Sequence, residues 1–304
     1  MIILSILFLC LLLFCPGIAL AGSKYGATLW LTQLLPTLLP FFIAIRLFDS
    51  CLPQVSSRRI FLLTGILCGY PAGATLVMNQ YDKGLISRRQ AYFYLGFVNN
   101  PSPMFVLVFC GTTILGTGSR EALILFGVLI LVSLSGSLLF SVSTHILPRP
   151  LRQYLSFRKP FPATVDIAKG SDYQESFSSR LDHIILDSFI LLVKIGGYVI
   201  IFSILGQFMS QFPGTSSASR ILCSGVLEIT SGVSYLQTAP LSLHAKKALM
   251  LAILSFGGLS AAAQTNSILA RSELSISPYL IIKAGNGILA WWLMQYFLPL
   301  FHIL

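Results

Sequence analysis

Two ionisable residues, Lys194 and Glu228, lie inside long apolar stretches, Ile184–Met209 and Ile221–Ala239. An ionisable side chain within a membrane is expensive unless it faces protein or water, so each is a functional candidate by default. Glu228 has the chemistry to take up a proton or coordinate a cation, which would couple the protein to an H+ or Na+ gradient, or to close a structural ion pair. Lys194 has the chemistry to attract an anion, to pair with Glu228, or to snorkel toward the interface. The other candidates sit where apolar stretches are interrupted. They are Gly69, Tyr70, Pro71 and Gly73 in one segment, Asn99, Asn100 and Ser102 in a second, Thr230 and Ser231 beside Glu228, and Gly257, Gly258 and Ser260 with Gln264 in a fourth. A helix broken inside a membrane exposes unpaired N–H groups at one end and carbonyls at the other. The N–H end carries a partial positive charge that suits an anion such as a carboxylate. Small residues at such points also serve simply for kinks and close helix contacts.

The elements that must position these residues are membrane helices. The 304 residues are 55% hydrophobic and only 10% charged, against about 25% charged in a soluble domain. So few charges cannot furnish a water-facing surface of this size, and the apolar stretches are long enough to be buried in lipid. The excess of 20 Lys+Arg over 10 Asp+Glu is not read as a nucleic-acid footprint, because the basic residues sit mainly in short loops beside apolar segments, where they set orientation. The reading is an all-α polytopic membrane protein. Its first span is Met1–Ala21, which lacks the basic start of a cleaved signal and is expected to be retained as an additional N-terminal transmembrane helix with a cytoplasmic N-terminus. Further apolar segments are Gly26–Ser50, Ile60–Tyr81, Gln90–Gly111, Glu121–Ile146, Ile184–Met209, Ile221–Ala239, Lys246–Ala270 and Ser277–Leu304. The stretch 147–182, with Pro148, Pro150, Pro160 and Pro162, reads as a basic cytoplasmic loop. Six isolated cysteines and four isolated histidines show no metal-ligand spacing, and no cofactor is expected.

The chain repeats itself. Gly65–Gly73 resembles Gly225–Gly232. A basic pair follows each at a similar distance, Arg88-Arg89 and Lys246-Lys247, and then an apolar stretch broken at Asn99-Asn100-Pro101 or at Gly257-Gly258-Leu259. The two copies cover 26–146 and 184–304, each in the order span, motif segment, interrupted span, span. The motif segments Ile60–Tyr81 and Ile221–Ala239 either cross the bilayer or turn back within it. Irregular backbone at depth survives only when lined by protein or water, and Gly, Pro and Ser at mid-segment favour a re-entrant hairpin. The charge balance favours it too: with hairpins, Arg58, Arg59, Lys83, Arg88, Arg89 and Lys283 join the basic side, and Lys246 and Lys247 lie opposite. Two hairpins give each copy three crossings, so the copies would have opposite orientation. Inverted repeats with two re-entrant helical hairpins and two interrupted transmembrane helices are a transporter architecture.

These motifs resemble the sporulation integral membrane protein YlbJ family, which carries the nucleoside-recognition "gate" domain. The resemblance rests on Cys68-Gly69-Tyr70-Pro71-Ala72-Gly73-Ala74, Asn99-Asn100-Pro101-Ser102-Pro103-Met104, Leu227-Glu228-Ile229-Thr230-Ser231-Gly232, and Ser255-Phe256-Gly257-Gly258-Leu259-Ser260 with Gln264. It covers 26–304, and Ala261-Ala262-Ala263 departs from the bulkier or polar residues expected there. It implies a fold similar to the core of concentrative nucleoside transporters, a role in endospore formation, and movement of dipicolinic acid from the mother cell toward the forespore. The membrane derived from the mother cell around the forespore is the location it suggests.

The leading expectation is therefore a transporter of a small organic anion, dipicolinate first, working within the lipid bilayer. A nucleoside or nucleobase carrier is one alternative, and a non-transporting sporulation scaffold is another. A homo-oligomer or a sporulation membrane partner is compatible with each, and no nucleic-acid partner is expected. An enzyme is not expected, because the sequence contains no HExxH, no GxSxG and no paired aspartates in adjacent spans.

Overall fold

Long apolar runs without water to satisfy their backbone must close their hydrogen bonds internally, and every regular element described is helical. The structure is a computed structural model that describes residues 2–51, 58–144, 153, 177–211, 217–270 and 272–297. Most of the expected loop at 147–182 lies outside these residues. The helices are α1 (Ile2–Phe14), α2 (Pro16–Leu29), α3 (Leu35–Cys51), α4 (Arg58–Cys68), α5 (Ala72–Asp82), α6 (Arg88–Val98), α7 (Ser119–Ser143), α8 (Phe177–Met209), α9 (Ser217–Leu227), α10 (Ile229–Thr238), α11 (Leu243–Phe256), α12 (Gly258–Leu269) and α13 (Ser277–Trp292). Wider π-helical turns join α2 to α3 at Trp30–Leu34 and follow α6 at Phe105–Ile114.

Four helical stretches are long and apolar enough to cross a membrane: Pro16–Phe48, Ser119–Ser143, Phe177–Met209 and Leu243–Leu269. Their outward faces are apolar, with Leu131 and Leu139 on α7 63% and 64% exposed, as a lipid solvent requires. The first helix boundary differs from the expectation. α1 stops at Phe14, and Pro16 opens a helix that runs on through Lys24. Pro is well suited to the first helical turn because its missing N–H is not needed there. The stretch 1–21 thus holds the 13-residue α1 and the start of a helix that continues through Gly26.

The two 33-residue stretches lie side by side and antiparallel. Gly22 meets Ile204, Gly26 meets Ile200 and Ser203, Gly196 meets the Trp30 ring, and Arg46 Nη1 bonds Asp187 Oδ2 at 3.1 Å. A Cβ on Gly22 would fall 2.6 Å from Ile204 Cα, so the close approach depends on the missing side chain. Trp30 Nε1 donates to Leu192 O at 2.9 Å across the same seam.

Beside this pair stand the motif segments, each two short helices with a break between them. α9 and α10 fold back on one another so closely that a Cβ on Gly232 would collide with Gly225 Cα and lie 3.2 Å from Ile221 O. The α4–α5 segment docks through Gly65 on Val98 and through Gly73 on Val98 and Asn99. Of the interrupted helices, α6 and α11 pack with α7 and α13, the π-helical continuation of α6 packs with α7, and α12 packs with α5, α8 and α9. Besides Arg46–Asp187, two further ion pairs among the described residues connect the halves. Lys247 Nζ lies 2.7 Å from Glu121 Oε2 at the start of α7, and Arg88 Nη2 pairs with Glu273 Oε2 just before α13. Arg88, Lys247 and Lys283 are all buried rather than lying free in loops.

Candidate functional site

The breaks form because their residues prefer conformations a helix interior cannot use. Gly69 has φ +67°, and a Cβ there would lie 2.7 Å from Ser102 N and 2.9 Å from Asn100 O. Only glycine lets this tip seat itself on the break at 99–102. Tyr70 N–H donates to Asn100 O at 2.9 Å, and the Tyr70–Pro71 peptide is cis. Pro71 then leads into α5. At the matching break, Gly257 and Gly258 have φ +88° and +75°, ending α11 and starting α12.

Helix starts created in this way need acceptors for their N–H groups. Asn99 serves α5: its Oδ1 accepts from Ala74 N–H at 3.2 Å, while its Nδ2 donates to Thr265 Oγ1 at 2.9 Å and Tyr279 Oη at 3.1 Å. Ser102 Oγ accepts from Phe105 N–H at 3.3 Å. Glu228 serves α10, accepting from Thr230 N–H at 2.9 Å and Ser231 N–H at 2.6 Å, one bond on each carboxylate oxygen. Glu228 is thus a buried N-cap. Ser231 Oγ also meets Ser203 Oγ of α8 at 2.9 Å.

The four breaks surround one cavity of about 50 Å³. Tyr70, Ser102, Glu228, Thr230, Gly257, Ser260 and Gln264 line it, with apolar walls from α3, α8 and the π-helical turns. Asn100 lies just behind, its Oδ1 accepting from Ser133 Oγ at 3.0 Å. Gly69, Pro71, Gly73, Asn99, Ser231 and Gly258 form the supporting layer. Water occupies about 30 Å³ in the liquid and drug-sized ligands need several hundred. The cavity therefore holds a water or two, and admitting an organic molecule requires the surrounding helices to part.

Lys194 does not join this group. Its side chain is exposed, and its neighbours Ile195 and Val199 line the cavity instead. The lysine buried beside this group is Lys283, assigned from sequence to the basic side. Its Nζ donates to Asn100 Oδ1 at 2.7 Å and to Asn99 O at 3.4 Å. The available signal was its place well inside the apolar segment Ser277–Leu304. Thr265, Tyr279 and Ser133, the partners of Asn99 and Asn100, were not singled out either, since hydroxyls are common in membrane helices and their partners lie more than thirty residues away.

Comparison with known proteins bears on this arrangement. Over 317 aligned positions the chain is 26% identical to "Sporulation integral membrane protein YlbJ" of Bacillus subtilis (strain 168), covering 90% of this chain and 76% of that protein. The match supports the YlbJ family assignment. Because it spans nine-tenths of the chain, the YlbJ likeness reaches into both 26–146 and 184–304. No protein-family model matches the chain, and no solved structure matches it.

Proposed function

We propose that the chain is a membrane transporter of a small organic anion acting in endospore formation, with dipicolinate the substrate that the YlbJ resemblance favours. The observation that carries the transport reading is the convergence of four chain breaks, with their polar side chains, on one cavity among membrane-length helices. Irregular backbone at that depth is otherwise costly. Candidate binding residues are those that line the cavity or brace it, with Glu228 the candidate for coupling to an ion gradient.

The same reading treats the halves as inverted repeats with re-entrant hairpins. Three features support it. The element order is duplicated, and the corresponding long helices, α2–α3 and α8, run antiparallel. The ion pairs are also reciprocal. The start of α11 meets the start of α7, and the start of α6 meets the approach to α13. If α6 and α11 each cross, such pairing requires them to start on opposite faces.

The test is uptake of radiolabelled dipicolinate and of uridine into proteoliposomes of the purified protein, with and without a proton gradient. Dipicolinate uptake that unlabelled ligand suppresses is the expected result. Uridine uptake without dipicolinate uptake would favour a nucleoside carrier, a second reading supported by the neutral donors and acceptors of Ser102, Thr230, Ser260 and Gln264 around the cavity. Uptake of neither by folded protein would sink the transport reading.

A further inference from the structure

Four helix starts face the cavity, and three are served by the chain's own oxygens: Asn99 for α5, Ser102 for the π-helical segment and Glu228 for α10. The fourth, α12, starts at Gly257–Gly258 with no side-chain cap. Beside this start lie two further groups with unused hydrogen-bonding capacity. Tyr70 Oη is buried and has no hydrogen-bond partner. Lys283 is fully buried, its amine meets only the two asparagine oxygens, and no carboxylate reaches it among the described residues. An ammonium has three donors, so one is left over. Gly257 connects these groups. A Cβ placed on it would lie 3.4 Å from Lys283 Cε, 3.6 Å from Tyr70 Cε1 and 3.7 Å from Tyr70 Oη. The glycine thus leaves a methyl-sized space between the amine arm and the phenol, at the wall of the cavity that Gly257 and Tyr70 line and Lys283 backs, a space that grows when the helices part to admit a ligand.

We propose that this gap is the seat of one carboxylate of the transported anion. With the anion bound, Lys283 as the ammonium supplies the charge, Tyr70 Oη donates a neutral hydrogen bond, and the first N–H groups of α12 add the helix-end dipole. The inference rests on the organic-anion reading and deepens it: the charge that recognises the anion is Lys283, and α12 is the helix end that receives it. The α10 end is already taken by Glu228, whose carboxyl oxygens occupy the N–H groups of Thr230 and Ser231.

The experiment measures ligand-induced thermal stabilisation of the purified full chain by dipicolinate, by the monoacid picolinate and by the neutral pyridine-2,6-dicarboxamide. It compares wild type with Lys283→Met and Tyr70→Phe, and dipicolinate uptake is measured on the same proteins. Wild type should be stabilised by both acids and not by the diamide. Affinity for the acids should fall about 10- to 100-fold in Lys283→Met and about 3- to 10-fold in Tyr70→Phe, the range expected for losing a charged and a neutral hydrogen bond. Unchanged affinity in Lys283→Met, or equal stabilisation by the diamide, would overturn the seat and leave Lys283 as a brace for the Asn99–Asn100 break. If Lys283→Met does not fold, Tyr70→Phe decides, since its hydroxyl bonds nothing and its loss does not threaten the fold; unchanged affinity there overturns the proposal. Lys283-dependent binding of picolinate without dipicolinate transport keeps the seat and sinks the dipicolinate reading. Dipicolinate transport that ignores Lys283 does the reverse, and a wild type that binds no carboxylate overturns the seat outright.

Discussion

Asn99 and Glu228 perform the same task in the two halves, each turning a side-chain oxygen toward the N–H groups that begin the second helix of a motif segment. They reach it differently, since Glu228 caps its own helix and Asn99 caps one from another segment. Their truncation should therefore differ. Glu228→Ala leaves two backbone donors unserved and should cost about 0.5–2 kcal/mol, the range for a lost N-cap. Asn99→Ala also removes the amide donor that the buried Thr265 and Tyr279 hydroxyls share and should cost more, about 2–4 kcal/mol from several lost bonds. Thermal unfolding in detergent checks the order. Glu228→Gln keeps an acceptor for the helix and should stay folded in the membrane; on the coupling proposal its uptake no longer responds to a proton gradient, and wild-type behaviour under every gradient would remove Glu228 from that role. At this scale the sequence revealed the breaks, because Gly, Pro and Asn carry local backbone preferences that survive without context. It did not reveal which lysine faces inward. Lys194 and Lys283 both lie in apolar helical segments, and only the packing of neighbours turns one out and the other in.

Elements meet here through missing side chains. Gly232 rests on Gly225 and lets α9 and α10 close on each other, whereas Gly127, in mid-α7, has nothing within 4 Å of where a Cβ would stand. Gly232→Ala must push two backbones apart and should cost several kcal/mol, about the 1–3 kcal/mol of overpacking or more because main chain yields less than side chain. Gly127→Ala should be neutral or stabilising by up to about 1 kcal/mol, the helix-propensity difference. Equal melting temperatures for the two variants would contradict the tight α9–α10 contact. The long apolar helices and the interrupted ones were legible from hydropathy and from the glycines and prolines that punctuate it. The α1–α2 boundary was not. Gly22-Ser23-Lys24-Tyr25-Gly26 looks like a connection by composition, yet its two glycines are the face on which α8 packs, so tertiary contact keeps the stretch helical. Pro16, which reads as a breaker, is instead a starter.

Over the whole molecule, the reciprocal pairs Lys247–Glu121 and Arg88–Glu273 tie each half to the other across its outer ends, while the cavity lies between them. Removing Glu121 leaves the buried Lys247 amine without its partner, which is worse than removing both. Lys247→Met should therefore rescue part of the stability that Glu121→Gln loses, a non-additivity that a double-mutant cycle in thermal unfolding would measure. The orientation of the halves is a sharper matter. On the inverted reading, Arg58 and Lys83, at the two ends of α4–α5, share one membrane face, and Arg220 and Gln237, at the two ends of α9–α10, share the other. Single cysteines at these four positions, probed in sealed vesicles with an impermeant thiol reagent on a background lacking native cysteines, should label in those two pairs from opposite sides. Arg58 and Lys83 on opposite faces would mean that the first motif segment crosses, so the first copy makes four crossings and no longer inverts the second. All four on one face would mean that one of the three elements between the motif segments, α6 with its continuation, α7 or α8, does not cross, and the halves would not be inverted. A carrier whose halves are not inverted cannot exchange its two access states by swapping the conformations of its copies, so this labelling pattern decides whether the duplication serves alternating access.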